Sequence, residues 1–310
     1  MLPDARSPND SAIVLINPIS RESFRVSSVG LLKTAVAGRV EISKAVVLAL
    51  SERKNKVEPN LVLVVIYGFG RQRIAYCGVG PGGSWTVLEG EHWRYEDIVC
   101  RGRCLYALSE SGSIESWEFD ESGFCPAKAA SFVPCEALPS VAIGHYQNDM
   151  YFERRYLVES MGELLLVRRF IGYYVNENGD LLNEGDLLTD EDPHPLVCPY
   201  RTIEFHVYKA CLGGGEKLEK VESLGDHRAL FLGGNESVSV SPREFAGCEG
   251  NSIYFTDDNW DGMTADYLYG GHDMGVYSLE DKAVKSLYEL DDEKVDPPPF
   301  WIVPNPVKPS

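Results

Sequence analysis

The sequence lacks any apolar run long enough to cross a membrane as a helix. A membrane-spanning helix needs about 20 consecutive apolar residues, whereas the longest apolar run, Leu61–Tyr67, has the length of a β-strand. The amino terminus also lacks the basic segment followed by an apolar segment that marks a secretory signal. We therefore expect an intracellular protein, located in the cytoplasm, the nucleus or both.

Basic residues are few relative to acidic ones. The 310 residues include 29 Lys and Arg against 47 Asp and Glu, which gives a formal net charge of −18. An acid excess of this size repels phosphate backbones, so we expect no nucleic-acid partner and regard a protein partner as the better match. Hydrophobic residues make up 44% of the chain, which is enough to bury a substantial core.

Common catalytic and metal-binding patterns are also missing. The chain has no G-x-S-x-G motif of the serine hydrolases, and its six histidines lie in unrelated segments. The eight cysteines are scattered and are expected to be reduced thiols. Cys100 and Cys104 lack the second pair that a zinc site requires, so we expect them on paired strands on either side of a turn. These absences predict no catalytic residues, no cofactor and no enzymatic activity.

One glycine pattern in the sequence resembles a nucleotide-binding motif. Gly78, Gly80 and Gly83 match G-x-G-x-x-G. A dinucleotide site requires a helix next, because the helix N-terminus holds the pyrophosphate. The following residues, Ser84–Leu88, are typical of a strand. We therefore predict a glycine-containing hairpin.

Short apolar runs separated by Gly, Pro, Asn and Asp recur along the whole chain. In Arg228–Asp258, for example, the run Ala229–Leu232 stops at Gly233 and a second run, Ile253–Phe255, follows. This pattern is typical of short antiparallel strands. It predicts at least about fifteen strands and no helix longer than about three turns. The fold class is therefore all-β.

The hairpins repeat at the spacing of about 40 to 50 residues that propeller blades have. We predict a single β-propeller of four-stranded antiparallel blades over residues 12–303, with six blades favoured and seven possible. The strands Ala12–Ile16 and Phe300–Val303 would close the ring, between a polar leader at residues 1–11 and a tail at 304–310. Two stacked sandwiches are an alternative, with the polar segment 172–200 as their linker.

Several segments resemble one plant family in the expected order. Leu15–Pro18 resembles its early LLNP strand, Asp97–Leu108 its DVVYFKGKLYAL hairpin, and Tyr156–Val167 its central YLVES-GELLLV signature. The carboxy-terminal matches are Val221–Asp226, Leu230–Gly233, Glu244-Phe245, Ile253–Asp258, Gly275–Leu279 and Trp301–Pro306. The family is the plant DUF295 family, also called the KIB1-4 type β-propeller domain.

The resemblance implies an intracellular plant propeller that binds other proteins. In this family the propeller often follows an F-box, a short helical module that docks on the adaptor of a ubiquitin ligase, and the propeller is the expected substrate-recognition part. Only residues 1–11 precede the first predicted strand. We therefore expect no F-box in this sequence and no direct contact with a ligase adaptor.

The acidic loop after the predicted strand Ile253–Phe255 is a weak metal candidate. Asp257, Asn259 and Asp261 occupy alternate positions before Gly262, as in a calcium loop. The bidentate glutamate expected at the twelfth position is missing, because Leu268 stands there. An acidic turn in which Asp and Asn cap their own backbone is the alternative, and we expect no bound metal.

Loop aromatics beside charged residues are the candidate partner contacts. Trp93 and Trp260 lie in predicted loops, and Asp258 and Asp261 beside Trp260 are candidate partner contacts with them. Exposed aromatics are common anchors of protein interfaces, although either ring could instead fold back onto the propeller rim. The leading prediction is a non-catalytic protein-interaction module. The alternative is an enzyme or small-molecule binder that uses carboxylates at the propeller channel.

Overall fold

The computed structural model describes the chain in two compact units, Met1–Val133 (unit 1) and Pro134–Ser310 (unit 2). The predicted leader and tail lie outside the described residues. The described ranges are 13–16, 21, 23–26, 41–50, 60–68, 70–80, 83–120, 126–132, 149–176, 178–183, 185, 199–211, 217–259, 271–288, 295 and 299–302.

Unit 1 contains ten described strands in three antiparallel sheets. β1 and β2 form a two-stranded sheet, β3 to β6 form a four-stranded sheet in chain order, and β7 to β10 form another. The strands are β1 Ile13–Ile16, β2 Ser23–Val26, β3 Ile42–Ala49, β4 Leu61–Tyr67, β5 Arg73–Gly78, β6 Thr86–Val87, β7 Tyr95–Arg101, β8 Cys104–Ser109, β9 Ile114–Glu118 and β10 Ala127–Phe132.

The β4 strand explains how unit 1 builds its core. Successive side chains of a strand point to opposite faces, and nearly every residue of LVLVVIY is buried. Val64 and Ile66 pack into one apolar cluster that also contains Trp117. Leu63 and Val65 pack into a second cluster on the other face. A continuous apolar run therefore marks a strand that is covered on both faces.

Unit 2 contains nine described strands in two sheets. β11 to β14 form a four-stranded antiparallel sheet in chain order, and the five-stranded sheet has the order β16-β15-β17-β18-β19. Apolar residues from both sheets, including Val158, Leu165, Phe205 and Phe255, form one core cluster. The strands are β11 Tyr151–Ser160, β12 Glu163–Gly172, β13 Arg201–Cys211, β14 Lys217–Val221, β15 Ala229–Leu232, β16 Val238–Val240, β17 Ser252–Phe255, β18 Gly275–Ser278 and β19 Ala283–Ser286.

The five-stranded sheet corrects the prediction that every blade is antiparallel and four-stranded. β15 pairs with β17 in parallel, with Leu230 opposite Ile253, while β16 folds back on the other edge of β15. The chain returns through a 3-10 turn at Pro242–Glu244. The return is tight, because a Cβ atom on Gly250 would lie 2.3 Å from the carbonyl oxygen of Asp226.

The described residues thus confirm the all-β class and, in three sheets, the four-stranded antiparallel pattern. They contain four sheets of four or five strands and one of two, so a six-bladed ring is not confirmed. The strand predicted at Phe300–Val303 is wrong over 300–302, where the chain is irregular. The backbone N–H of Trp301 instead donates to the side-chain oxygen of Asn235 at 3.3 Å. The closing strand predicted at Phe300–Val303 therefore has no support over 300–302, and closure of the ring is not confirmed.

Three further predictions concern the glycine motif, the cysteines and the absence of membrane-spanning helices. Gly78 ends β5, which pairs antiparallel with β6, so the glycine motif lies in a hairpin as predicted. Cys100 and Cys104 lie on the paired strands β7 and β8, and no disulfide joins the cysteines in the described ranges. Within those same ranges, no helix has the length and apolar character needed to cross a membrane.

Candidate functional site

A fully buried arginine lies at the centre of the candidate site in unit 2. Arg169 lies on β12, and its side chain is 0% exposed. Residues two apart on a strand share a face, so Arg169 lies on the face of Leu165 and Val167, which belong to the core cluster. A buried guanidinium is costly unless it is paired and hydrogen-bonded. The groups around it must therefore supply acceptors.

Two aspartate carboxylates and four neutral oxygens accept hydrogen bonds from Arg169. The Nη1 atom of Arg169 donates to Asp258 Oδ1 at 3.1 Å, and Nη2 donates to Asp273 Oδ2 at 2.8 Å. The Nε atom donates to Thr202 Oγ1 at 2.7 Å, and Nη1 also donates to the Thr256 carbonyl at 2.9 Å. Burial opposes the charged guanidinium, but the nearby tyrosine and aspartates outweigh it and raise the pKa of Arg169. The arginine therefore stays charged inside unit 2.

Asp258 belongs to this cluster rather than to an exposed loop. Its residue is 6% exposed, and its carboxylate accepts from the hydroxyl of Tyr156 at 2.8 Å as well as from Arg169. Burial, followed by the charge of Asp258, raises the pKa of Tyr156. Asp258 is therefore buried, and its charge is compensated inside the unit; its role in partner binding stays a prediction.

Asp257 and Asn259 are also buried, which bears on the calcium hypothesis. Asp257 accepts from the hydroxyl of Tyr200 at 2.7 Å and from the backbone N–H of Asn259 at 3.0 Å. Burial and then the charge of Asp273 raise the pKa of Asp257. The third candidate ligand, Asp261, lies outside the described residues. No group of three His, Cys, Asp or Glu within the described part of the chain is arranged to hold a metal ion.

A cavity of about 430 Å³ adjoins this cluster in unit 2. Thr202 and Asp273 belong both to the cluster and to the cavity wall. His272 also lines the cavity, and its Nε2 atom donates to the carbonyl of Tyr200 at 2.9 Å. Arg201 and Lys282 bring positive charge to the same wall. The cluster therefore supports one side of a space in which a small ligand could be held.

Trp93, the other described partner candidate, lies in unit 1. It is 69% exposed, and the guanidinium carbon of Arg71 lies 5.0 Å from its ring centroid. This distance is typical of a cation–π contact. The ring is therefore presented on the surface rather than folded inward, although its role in partner binding stays a prediction. Trp260 and Asp261 lie outside the described residues.

Arg169 is not among the site residues predicted above, although the sequence contains a pattern that indicates its burial. The strand ELLLVRRFIG places two arginines within a long apolar run. Alternation puts the second, Arg169, on the face of Leu165 and Val167. An arginine on the apolar face of a strand predicts a buried acidic partner. The identity of that partner could not be predicted, because Asp258 is 89 residues away along the chain.

A second buried polar cluster, also missed, lies in unit 1 around Glu115 on β9. Its side chain is 0% exposed. It accepts from Lys128 Nζ at 2.7 Å, from the backbone N–H of Glu91 at 3.1 Å and from the hydroxyl of Tyr95. Burial alone would raise the pKa of Glu115, but the hydrogen bonds from Lys128 and Tyr95 outweigh it, so the pKa is lowered. The ionised carboxylate is therefore the form that stabilises the fold.

Replacing Glu115 with glutamine is expected to reduce stability in a pH-dependent way. Because the folded-state pKa is lowered, the stabilisation is present above the ordinary glutamate pKa of about 4.3 and is lost as the pH falls through the folded value. We expect Glu115→Gln to cost about 1–3 kcal/mol at neutral pH. The difference from the wild type should shrink as the pH is lowered below the ordinary glutamate range, measured by urea unfolding across this pH series.

The matched control for this experiment is Glu118→Gln. Glu118 is 55% exposed and lies 3.5 Å from Arg103, so we expect little change at any pH. If Glu115→Gln lowers the free energy of unfolding by the same amount at every pH, the charge of the carboxylate is not the cause of the loss.

The chain is similar to known proteins whose family also has an all-β fold. A family model described as KIB1-4 beta-propeller matches residues 1–278. The F-box protein At2g17690 of Arabidopsis thaliana is 36% identical over 330 residues, covering 89% of this chain and 70% of the relative.

Two further relatives from Arabidopsis thaliana align over shorter lengths. The F-box protein SKIP23 is 26% identical over 223 residues, which is 71% of this chain and 48% of the relative. The putative F-box protein At1g65770 is 29% identical over 175 residues, which is 56% of this chain and 39% of the relative. The chain thus spans less than half of the length of these two relatives.

Proposed function

Because the chain belongs to the KIB1-4 β-propeller family, we propose that it is a non-catalytic protein-interaction module similar to the recognition propellers of plant F-box proteins. The observation that carries the proposal is the match to relatives named F-box proteins, one of them aligned over 89% of this chain. A rigid sheet scaffold that presents loops to a partner is a common use of such folds. The proposal concerns recognition of a partner and includes no contact with a ligase adaptor.

The exposed Trp93 supports this proposal from the surface side. Tryptophan and arginine are enriched among the residues that dominate binding energy at protein interfaces. Trp93 is 69% exposed and has Arg71 beside its ring. An aromatic surface held next to a positive charge suits a partner that offers an apolar residue beside an acidic one.

The alternative, an enzyme or binder that acts through carboxylates, has less support from the described residues. Asp258 and Asp273 each form an ion pair with Arg169, at 3.1 Å and 2.8 Å. A catalytic acid or base must reach the proton that it transfers. Carboxylates that are buried and already paired are better suited to stabilising the fold.

Capture of partners from plant extract on the immobilised chain tests the proposed function. We expect a protein that is retained by the wild type and by Tyr173→Ala, and that is weakened about tenfold or more by Trp93→Ala, because truncating an interface anchor commonly has an effect of this size. Tyr173 is the matched control, since it is an aromatic residue that is 46% exposed in unit 2.

The two ways of failing are distinguishable. If no protein is retained by the wild-type chain, the interaction function itself is contradicted. If a partner is retained equally by the wild type and by Trp93→Ala, the function stands and the assignment of Trp93 is contradicted.

A further inference from the structure

We propose that the cavity in unit 2 binds a carboxylate attached to a compact apolar group, with Arg201 and Lys282 contacting the carboxylate. The cavity has a volume of about 430 Å³, within the range of roughly 300–1,000 Å³ that small-ligand sites have. Its walls come from the start of β13, from Asn176, Asn178 and Gly179, and from the β18–β19 hairpin with the residues just before β18. This site does not depend on the proposed protein-interaction function.

Arg201 forms no ion pair with any described residue, in contrast to the buried Arg169. Arg201 lines the cavity. Its Nε atom is buried and has no hydrogen-bond partner, so the terminal nitrogens of the guanidinium are the ones that would contact a ligand. A carboxylate can satisfy a guanidinium with two parallel hydrogen bonds, so it is the group that this position fits.

Lys282 adds a second positive charge to the lining of the cavity. Lys282 lies in the turn between β18 and β19 and lines the same cavity. The pKa of Glu204 is lowered first by His206 and that of Glu222 first by Lys220, and the charge of Lys282 adds to both shifts. Within the described ranges Lys282 forms no ion pair at 4.0 Å or less, so an anion in the cavity can gain a second contact from its ammonium group.

The acid on the cavity wall does not cancel this preference. Asp273 lines the cavity, but its carboxylate accepts from Arg169 at 2.8 Å and from the Thr202 hydroxyl at 2.7 Å. The hydroxyl of Ser286 is similarly used, because it donates to the carbonyl of Tyr288 at 2.6 Å. The charged donors that remain for a ligand are those of Arg201 and Lys282.

The other lining residues indicate the chemistry of the uncharged part of the ligand. Val175, Ile203, Met274 and Val284 contribute apolar side chains to the cavity, and Tyr288 contributes a ring. The lining as a whole is more polar than apolar, so the apolar part of the ligand must be small. A bare inorganic anion would leave this apolar surface uncovered. The expected ligand therefore carries an aromatic or branched aliphatic group beside its carboxylate.

Ligand-observed NMR on the full chain tests the proposal with hydrocinnamate, its neutral amide hydrocinnamamide and inorganic phosphate. We expect hydrocinnamate to bind at least about tenfold more tightly than the amide, a difference that corresponds to about 1.4 kcal/mol. Phosphate should bind more weakly than hydrocinnamate. Equal binding of acid and amide, or binding of phosphate as tight as that of the acid, would overturn the proposal. Failure of both hydrocinnamate and the peptide acid described below to bind at millimolar concentration would also overturn it.

Matched variants connect the binding to the cavity. Arg201→Gln is expected to weaken hydrocinnamate about tenfold or more, and Lys282→Gln several-fold, because each removes one charged contact. Lys285→Gln is the control, since Lys285 lies on the same hairpin but does not line this cavity. If Arg201→Gln fails to fold, Lys282→Gln decides the result. An affinity unchanged by every foldable cavity variant would overturn the proposal.

A second pair of probes identifies the source of the carboxylate. A short peptide that ends in phenylalanine is compared with the same peptide amidated at its carboxy terminus. Binding of the free peptide acid would indicate the terminus of a protein as the ligand. Binding of hydrocinnamate alone would indicate a free organic acid. Either result supports the site, and failure of both acids to bind contradicts it.

Discussion

Replacing Arg169 with methionine is expected to destabilise unit 2 by about 3–5 kcal/mol, since removing one partner of a buried ion pair leaves the other charge uncompensated. The change would leave Asp258 and Asp273, which are 6% exposed, without their guanidinium. Urea unfolding measures the free energy, and hydrogen exchange of peptides from β12 and β17 measures whether the loss is centred on the cluster.

Two comparisons make this result interpretable. Lys217→Met removes an exposed pair, in which Lys217 and Glu219 are 67% and 51% exposed, and should cost at most about 1 kcal/mol. Combining Arg169→Met with Asp258→Asn and Asp273→Asn should recover part of the loss, because the buried charges are then neutral. If Arg169→Met is no more destabilising than Lys217→Met, the buried cluster does not stabilise the unit.

Trp117→Ala is expected to cost unit 1 about 3–5 kcal/mol, the range for removing a large buried aromatic side chain. Trp117 lies on β9 with 2% of its surface exposed, inside the apolar cluster that includes Ile66 and Ile98. The loss combines the apolar surface returned to water with the cavity left among these residues. Urea unfolding, together with hydrogen exchange of peptides from β8 and β9, provides the measurement.

Trp93→Ala is the matched control, because it removes the same side chain from the surface. Trp93 is 69% exposed, and its described partner is the guanidinium of Arg71. The expected cost is below about 1 kcal/mol, the value of an exposed cation–π contact. Equal losses from Trp117→Ala and Trp93→Ala would contradict the assignment of Trp117 to the core.

The strands that could be predicted are those whose own residues specify a strand. In β3, ISKAVVLA alternates between exposed and buried positions, and β4 is apolar throughout. β10 has the sequence AKAASF, and most of its side chains are exposed. The pattern of short apolar runs does not predict it, because alanine and lysine do not favour strands. It is a strand because the edge of β9 offers it backbone hydrogen bonds.

The prediction of a strand at Phe300–Val303 is wrong over 300–302 for the opposite reason. Its residues favour a strand, but prolines stand on both sides at 297–299 and 304. The peptide groups of Trp301 bond to the side chain of Asn235, and its indole N–H donates to the carbonyl of Leu232 at 2.8 Å. Propensity describes a preference for extended backbone and does not provide a neighbouring strand.

The sequence by itself determined the fold class, most strand positions and the family of this protein, because alternation and turn residues act over a few neighbouring positions. Only the tertiary structure decided that β15 and β17 run in parallel and that Asp258 pairs with Arg169. Both contacts join residues that are distant along the chain. A carboxylate has the same local pattern in an exposed turn and in a buried pair, and the partner that distinguishes them is brought near only by folding.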